Sequence, residues 1–470
     1  MAMFVPPVLY LLSLLLVAYL LRDQDRQDDQ YFLAGRTIGS LPAILSVVAN
    51  ETSVATVMIF PAAGFKSDFV LVWLCLGFIL GRTLVAVFFM RKLYENHKLS
   101  IYETIGGTRT GSVPLAFAYV MAKYIANGAR FYMAGYALQQ LLGWNIAGWI
   151  VVVAMIVAVY SLTGGIRAVV ITDQIQGSVI YAMGLFLVAY LGYEIYQIGQ
   201  AGYAHADALG ILQRLRLTDA RASFTNSDYY LTLLLGGMVI SIGSHGADQD
   251  MIQRILATKS ARRASRSIFI SGIGASIVIL TYLAIGVLLR EAGHGQLDAK
   301  SPLVDYIFHL NHPWLAGCFV VLLLSTGMSS LDSATNSTGA IWKFITRSNY
   351  PGILWSVFSL ECLVISALLF ALLGRSDFLD LALGSMSYIH GALIAILITY
   401  TFLPRLIHPA SIVLAVAGSV GATIVLNLQV HSAWTVQILG STFTALLLCM
   451  AVGWISERVL SRRSRVPGSS

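Results

Sequence analysis

The sequence predicts an all-α integral membrane protein, and three observations carry that prediction. Apolar residues make up 57% of the 470 and charged residues only 11%, less than half the ~25% usual in soluble domains. Apolar runs near the ~20 residues needed to cross a bilayer as a helix recur almost from end to end. The ionisable residues that interrupt these runs come in compact polar blocks and not as scattered surface charge.

Taken in order, about thirteen spans are expected, at 3–21, 40–63, 69–90, 115–142, 146–163, 171–196, 229–256, 266–290, 314–346, 351–373, 377–404, 409–426 and 434–457. The first lacks the basic start and small-residue cleavage site of a secretory leader, and a polar, acidic stretch from Arg22 to Gln30 follows it; it reads as a retained helix. Lys and Arg favour one set of alternate loops by roughly three to one, which predicts an outside N-terminus and a cytoplasmic C-terminus in a multi-pass plasma-membrane protein (the inner membrane in a bacterium). The loops 197–228 and 291–313 then lie outside, and the basic tail after Glu457 reads as disordered. The net charge of +7 therefore belongs to membrane-flanking loops and not to a nucleic-acid surface. Cys75, Cys318, Cys362 and Cys449 all fall inside apolar segments and read as packed thiols.

Polar groups at membrane depth are costly and mark function by default. Asn50, Glu51, Thr52 and Ser53 form a continuous polar block in the span 40–63. Ser, Thr and Asn compete for backbone hydrogen bonds, so the block predicts a helix break whose freed carbonyls suit a hard cation. The alternative is a plain structural ion pair for Glu51. A second block, Ser325 to Thr338, holds Ser329, Ser330, Asp332 and Ser333; it reads either as polar glue between helices or as the oxygen ligands of a cation site. The acceptor-like triplet Asn336-Ser337-Thr338 lies within a span and is discounted for glycosylation.

Lys123, Asn127 and Arg130 share one helical face by their spacing of four and three. Lys123 is expected to snorkel to the cytoplasmic edge. Arg130 is mid-span, with either Glu51 or an anionic solute as partner; Arg82 is a weaker candidate. Asp173 reads by itself as an N-terminal helix acid favoured by the dipole. Gly243 and Gly246 bracket a second polar break around His245, which continues to Asp248, Asp250 and Arg254. No nucleophile elbow, metal-ligand histidine spacing or phosphate loop is present, so nothing here spells an enzyme.

Four segments together resemble the sodium:solute symporter family, which includes sodium/glucose, sodium/proline, sodium/iodide and sialic acid transporters. They are YFLAGR (31–36), SLTGGIRAVVITDQIQG (161–177), DQDMIQRILATKS (248–260) and SSLDSATNS (329–337), in family order across 31–346. The resemblance implies a LeuT-type inverted repeat of five plus five helices. It divides the chain into an extra helix and loop (1–39), a first repeat (40–196), an extracellular loop (197–228), a second repeat (229–404) and two final helices with a short tail (405–470). The first helix of each repeat would be unwound at the midplane.

Carried over by position, the resemblance implies a sodium site from the carbonyls of Ala49, Thr52 and Thr326 and the hydroxyls of Ser329 and Ser330. A second sodium would use Asp173, Asp332 and Ser333 with Ser329 or Ser330. Glu51, Ser53, Asn127, Arg130 and His245 are the candidate solute contacts, in a site between spans 2, 4, 7 and 11. Ser244-His245 departs from the aromatic that family members often carry there, and the residues of sugar-transporting members do not map. The expected function is sodium-driven import of a small polar solute, with Arg130 favouring a carboxylate-bearing acid or acidic sugar. A neutral solute, proton coupling through Glu51, Asp173 or Asp332, and a transporter-like sensor are the rivals. The expected partners are solute, sodium and lipid, with the oligomeric state open and nucleic acid excluded.

Overall fold

The computed structural model describes residues 2–20, 28–96, 98–200, 215–223, 225–373 and 378–463. Arg22, Arg26, Arg214, Arg375 and Arg465, residues 201–214 and 224 of the loop 197–228, and the end of the tail lie outside the described residues.

The described chain is helical apart from two isolated bridges, Ile38 with Thr258 and Asp219 with Tyr229. Its helices are α1 (Val5–Leu20), α2 (Asp28–Leu33), α3 (Ser40–Glu51), α4 (Val54–Ser67), α5 (Val72–Asn96), α6 (Arg109–Leu142), α7 (Ile146–Gln200), α8 (Tyr230–Gly246), α9 (Gln249–Leu256), α10 (Ala261–Glu291), α11 (Pro302–His309), α12 (Pro313–Thr346), α13 (Gly352–Leu373), α14 (Phe378–Phe402), α15 (Pro409–Leu428) and α16 (Trp434–Arg463). Among the described residues seven helices are long and apolar enough to span a membrane, or up to ten when each bent pair counts once. The count stays below thirteen because the expected spans 115–142 and 146–163 form one bent pair and, among the described residues, the apolar stretches at the expected spans 3–21 and 377–404 are Ala2–Val17 and Tyr388–Phe402.

Three bends shape the molecule: 66° between α3 and α4, 58° between α8 and α9, and 114° between α6 and the first part of α7. The first two fall on the expected polar breaks. The expected boundary between the spans 146–163 and 171–196 falls at Gly165, whose φ of 54° and ψ of −152° are outside the range of residues with a Cβ; α7 is therefore two helices joined at a kink, the second starting near Gly164, earlier than expected. A Cβ at Gly165 would also sit 2.4 Å from the carbonyl oxygen of Tyr31, so this glycine lets the 28–36 segment pack beneath α7. The loop 291–313 contains α11, and α16 carries helix past Glu457 to Arg463.

Small residues set the closest crossings, as expected where lipid offers no hydrophobic drive. Gly64 of α4 faces the Leu283 carbonyl and Gly286 of α10 faces the Pro61 carbonyl, each too close for any side chain. The centre of the bundle is α12, whose residues from Phe319 to Ile341 are buried throughout. All four cysteines are free thiols.

Candidate functional site

The first break follows from the polar block. Thr52 (φ −82°, ψ 85°) and Ser53 (φ −90°, ψ 176°) leave the helical region between α3 and α4. The Thr52 hydroxyl bonds back to the Val48 carbonyl at 2.8 Å and its amide to the carbonyls of Val48 and Ala49 at 3.1 Å, which closes α3. Ser53 starts α4 by accepting the Thr56 amide at 2.9 Å on its carbonyl. The Thr52 carbonyl between them accepts no hydrogen bond among the described residues.

α12 faces this break with the second polar block. Ser53, Val54, Asn127, Arg130, Phe131, Thr326, Gly327, Ser330 and Leu331 line a cavity of about 10 Å³, room for about one water. The structure thus gathers Ser53, Asn127, Arg130, Thr326 and Ser330 from α3–α4, α6 and α12. Ser330 Oγ donates to the Thr326 carbonyl at 3.3 Å, and Ser329 Oγ donates to Asp173 Oδ1 at 2.8 Å. Both hydroxyl oxygens keep lone pairs for a cation. Arg130 Nη1 donates to Asn127 Oδ1 at 3.3 Å. It has no ion pair among the described residues, and its Nε and the Asn127 Nδ2 are buried without partners.

Glu51 and His245 are not in the cavity lining. Glu51 pairs with Arg82 and not with Arg130, and Arg82 is completely buried where an edge position was expected. Ser271 Oγ accepts from Arg82 Nη1 at 3.2 Å, and His245 Nε2 lies 3.9 Å from Glu51. His245 Nδ1 lies 3.2 Å from the Ser241 carbonyl, so Nδ1 carries the hydrogen and Nε2 is left as an acceptor.

The proposed second-sodium residues are brought together, but around a guanidinium. Asp173 is a buried mid-helix residue of α7 and not a helix-terminal acid. Its Oδ2 accepts from Arg254 Nη2 at 3.0 Å, Arg254 Nε at 3.2 Å and Ser46 Oγ at 2.5 Å. Arg254 also bonds Ser333 and the Asp250 carbonyl. Asp332 accepts from Tyr160 Oη at 2.7 Å and Ser333 Oγ at 3.1 Å. The sequence places Arg254 at the end of the second polar break without assigning it a partner; its place after two acidic residues in a broken span was the available signal.

The second break is filled differently. Asp248 caps α9 by accepting the Asp250 amide at 2.9 Å. Lys123 does not snorkel: its Nζ lies 3.0 Å from Asp248 and 2.7 Å from Asp250, with all three side chains at most 5% exposed. Tyr119 Oη donates to Asp248 at 2.6 Å and Ser337 to Asp250. The Ala247 carbonyl accepts Tyr102 Oη at 2.9 Å.

One broken span faces a buried, hydroxyl-rich helix across a small polar cavity and a second broken span is closed by its own ion cluster, an arrangement that fits a membrane transporter of the inverted-repeat type. The chain belongs to the sodium:solute symporter family, whose model matches residues 31–406. It is 24% identical to the human sodium/iodide cotransporter over 439 residues, covering 87% of this chain and 66% of that one. It is also 24% identical to the bovine sodium-coupled monocarboxylate transporter 2 over 359 residues, covering 71% of this chain and 56% of that one. The chain therefore spans about half to two thirds of the length of these relatives. Among solved structures, a substrate-bound, outward-open Na+-coupled sialic acid symporter superposes with a TM-score of 0.82 at 18% identity, covering 97% of this chain and 98% of the other. MHP1, a nucleobase-cation-symport-1 family transporter, gives 0.61 at 14% identity over 93% and 96%. These likenesses establish the LeuT-type fold.

Proposed function

We propose that the protein is a sodium-coupled symporter for a small carboxylate-bearing solute. The observation that carries the solute class is Arg130: a half-buried guanidinium without an ion pair among the described residues, whose buried Nε and the buried Asn127 Nδ2 lack partners, in the lining of the cavity. A carboxylate matches that donor set in charge and in planar geometry. Likeness to sodium-coupled monocarboxylate transporters supports the same class.

The sodium ligands in this reading are the carbonyls of Ala49, Thr52 and Thr326 and the hydroxyls of Ser329 and Ser330. The Thr52 carbonyl, free of hydrogen bonds among the described residues, and the hydroxyls of α12 are the groups that support it. Sodium bridges the first break to α12 and so stabilises the arrangement open to the outside. A cavity of about 10 Å³ admits an ion or a water but no organic solute, so the solute enters through a more open arrangement and is released through another. The downhill sodium does the work: one charge crossing 100 mV releases about 2.3 kcal/mol. Asp173 and Ser333, already bonded to Arg254, do not offer the free oxygens that a second sodium needs, so one sodium per cycle fits this arrangement.

The test is uptake into proteoliposomes of a panel of labelled carboxylates and neutral sugars, with and without a sodium gradient. Sodium-dependent uptake of a carboxylate supports the reading. Uptake of sugars alone, or uptake driven by a pH gradient without sodium, contradicts it.

A further inference from the structure

We infer that Lys123 is a positioning residue that couples the solute cavity to the second helix break, an inference that rests on the function proposed above. Lys123, Asn127 and Arg130 stand on one face of α6, and Arg130 is seven residues from Lys123, about 10 Å along the axis. One rigid rod therefore carries the cavity's guanidinium at one level and the ammonium that grips α9 at another.

The grip is chemically specific. Asp248 and Asp250 lie at the start of α9, where the helix dipole and the free amides favour negative charge. Two neighbouring buried carboxylates still repel, and Lys123 lies within 3.0 Å of both. Tyr119 Oη and the Asp250 amide satisfy the remaining valences of Asp248, and Ser337 reaches Asp250 from α12. The cluster thus ties α6 of the first repeat to α9 and α12 of the second, and among the described residues it is the place where a Lys faces two carboxylates. A shift of α6 on closing around a bound anion must carry Asp248 and Asp250 with it, and these residues set the angle between α8 and α9. Plain packing would need no charge here; transmission of force across a buried contact is what an ion cluster adds to apolar surface.

Two variants separate positioning from folding. Lys123→Arg keeps the charge. The triple variant Lys123→Gln, Asp248→Asn, Asp250→Asn removes all three charges while Asn still serves as an N-cap, so α9 keeps its start. Spin labels at Leu231→Cys, near the exposed start of α8, and Arg263→Cys, at the exposed start of α10 just after α9, report the distance set by the angle between α8 and α9. The parent and Lys123→Arg are expected to change that distance on adding sodium and again on adding a carboxylate. The triple variant is expected to bind sodium within threefold of the parent, to lose the distance change, and to lose at least tenfold in sodium-driven accumulation. A triple variant that moves and accumulates as the parent does overturns the inference, as does one whose sodium affinity falls more than tenfold, or a parent whose distance ignores sodium. A parent that responds to sodium and transports no carboxylate refutes the proposed solute instead and leaves the coupling intact.

Discussion

Two spans are broken within polar blocks, at Thr52–Ser53 and at Ala247–Asp248, and the two breaks are completed in opposite ways. At the first, the exposed backbone is left to neutral oxygens: the Thr52 carbonyl accepts nothing among the described residues, and hydroxyls of α12 stand nearby. At the second, the Ala247 carbonyl is taken by Tyr102 and the space is filled by Lys123 with Asp248 and Asp250. The same architectural feature, an interrupted helical hydrogen-bond ladder, thus leaves one carbonyl unclaimed at the first break and places a tethered ammonium at the second. The lesson is that a helix break alone does not define an ion site; what matters is whether the protein's own donors have already claimed its carbonyls.

The strongest way to test this contrast is to disturb the charged pair beside the first break. Glu51→Gln leaves Arg82 buried without its carboxylate, and breaking a buried pair costs about 3–5 kcal/mol. A large fall in thermal stability in detergent is the expected result, with residual folded protein still binding sodium; loss of sodium binding at unchanged stability would move Glu51 into the ion site. Next in size is Arg130→Ala. Each hydrogen bond to a charged group contributes about 1.5–3 kcal/mol, so KM for a carboxylate should rise about 10- to 100-fold with sodium affinity preserved. Normal carboxylate transport by this variant would remove the basis for the solute class.

Tyr102→Phe sharpens the contrast at the other break, because it frees the buried Ala247 carbonyl. A stability loss of about 1–2 kcal/mol is expected, with no gain in sodium binding, since Lys123 still fills the space. A second sodium bound by this variant would show that the hydroxyl alone distinguishes the breaks. The smallest effect belongs to the loop before α8, where Arg221 bonds hold the Asp219 carboxyl well below the usual carboxylate range. A depressed folded-state value means the contribution is complete above about pH 4 and fades as pH falls further. Arg221→Ala should therefore raise hydrogen exchange in 215–223 slightly at neutral pH and narrow the difference between pH 7 and pH 3.

Much of this was legible in the sequence where local chemistry decides structure. Asn50 to Ser53 marked the first break because small polar side chains recapture backbone groups within a turn, and the Thr52 hydroxyl does so. The spacing of Lys123, Asn127 and Arg130 gave their shared face. Partnerships were not legible, because Glu51 and Arg82, Asp173 and Arg254, and Lys123 and Asp248 are 31, 81 and 125 positions apart. Only tertiary packing selects among the basic residues available to each acid. The boundary between the spans 146–163 and 171–196 was legible, but the close approach of Tyr31 that requires glycine at the Gly165 kink was not, because that contact is tertiary.

The central claim, that the first break and α12 form the sodium site, is tested most directly by equilibrium binding of radioactive sodium to the purified protein and to the Ser329→Ala, Ser330→Ala double variant. The account predicts saturable binding to the parent and at least a hundredfold weaker binding to the variant at comparable thermal stability. Undiminished sodium binding by the double variant would contradict it.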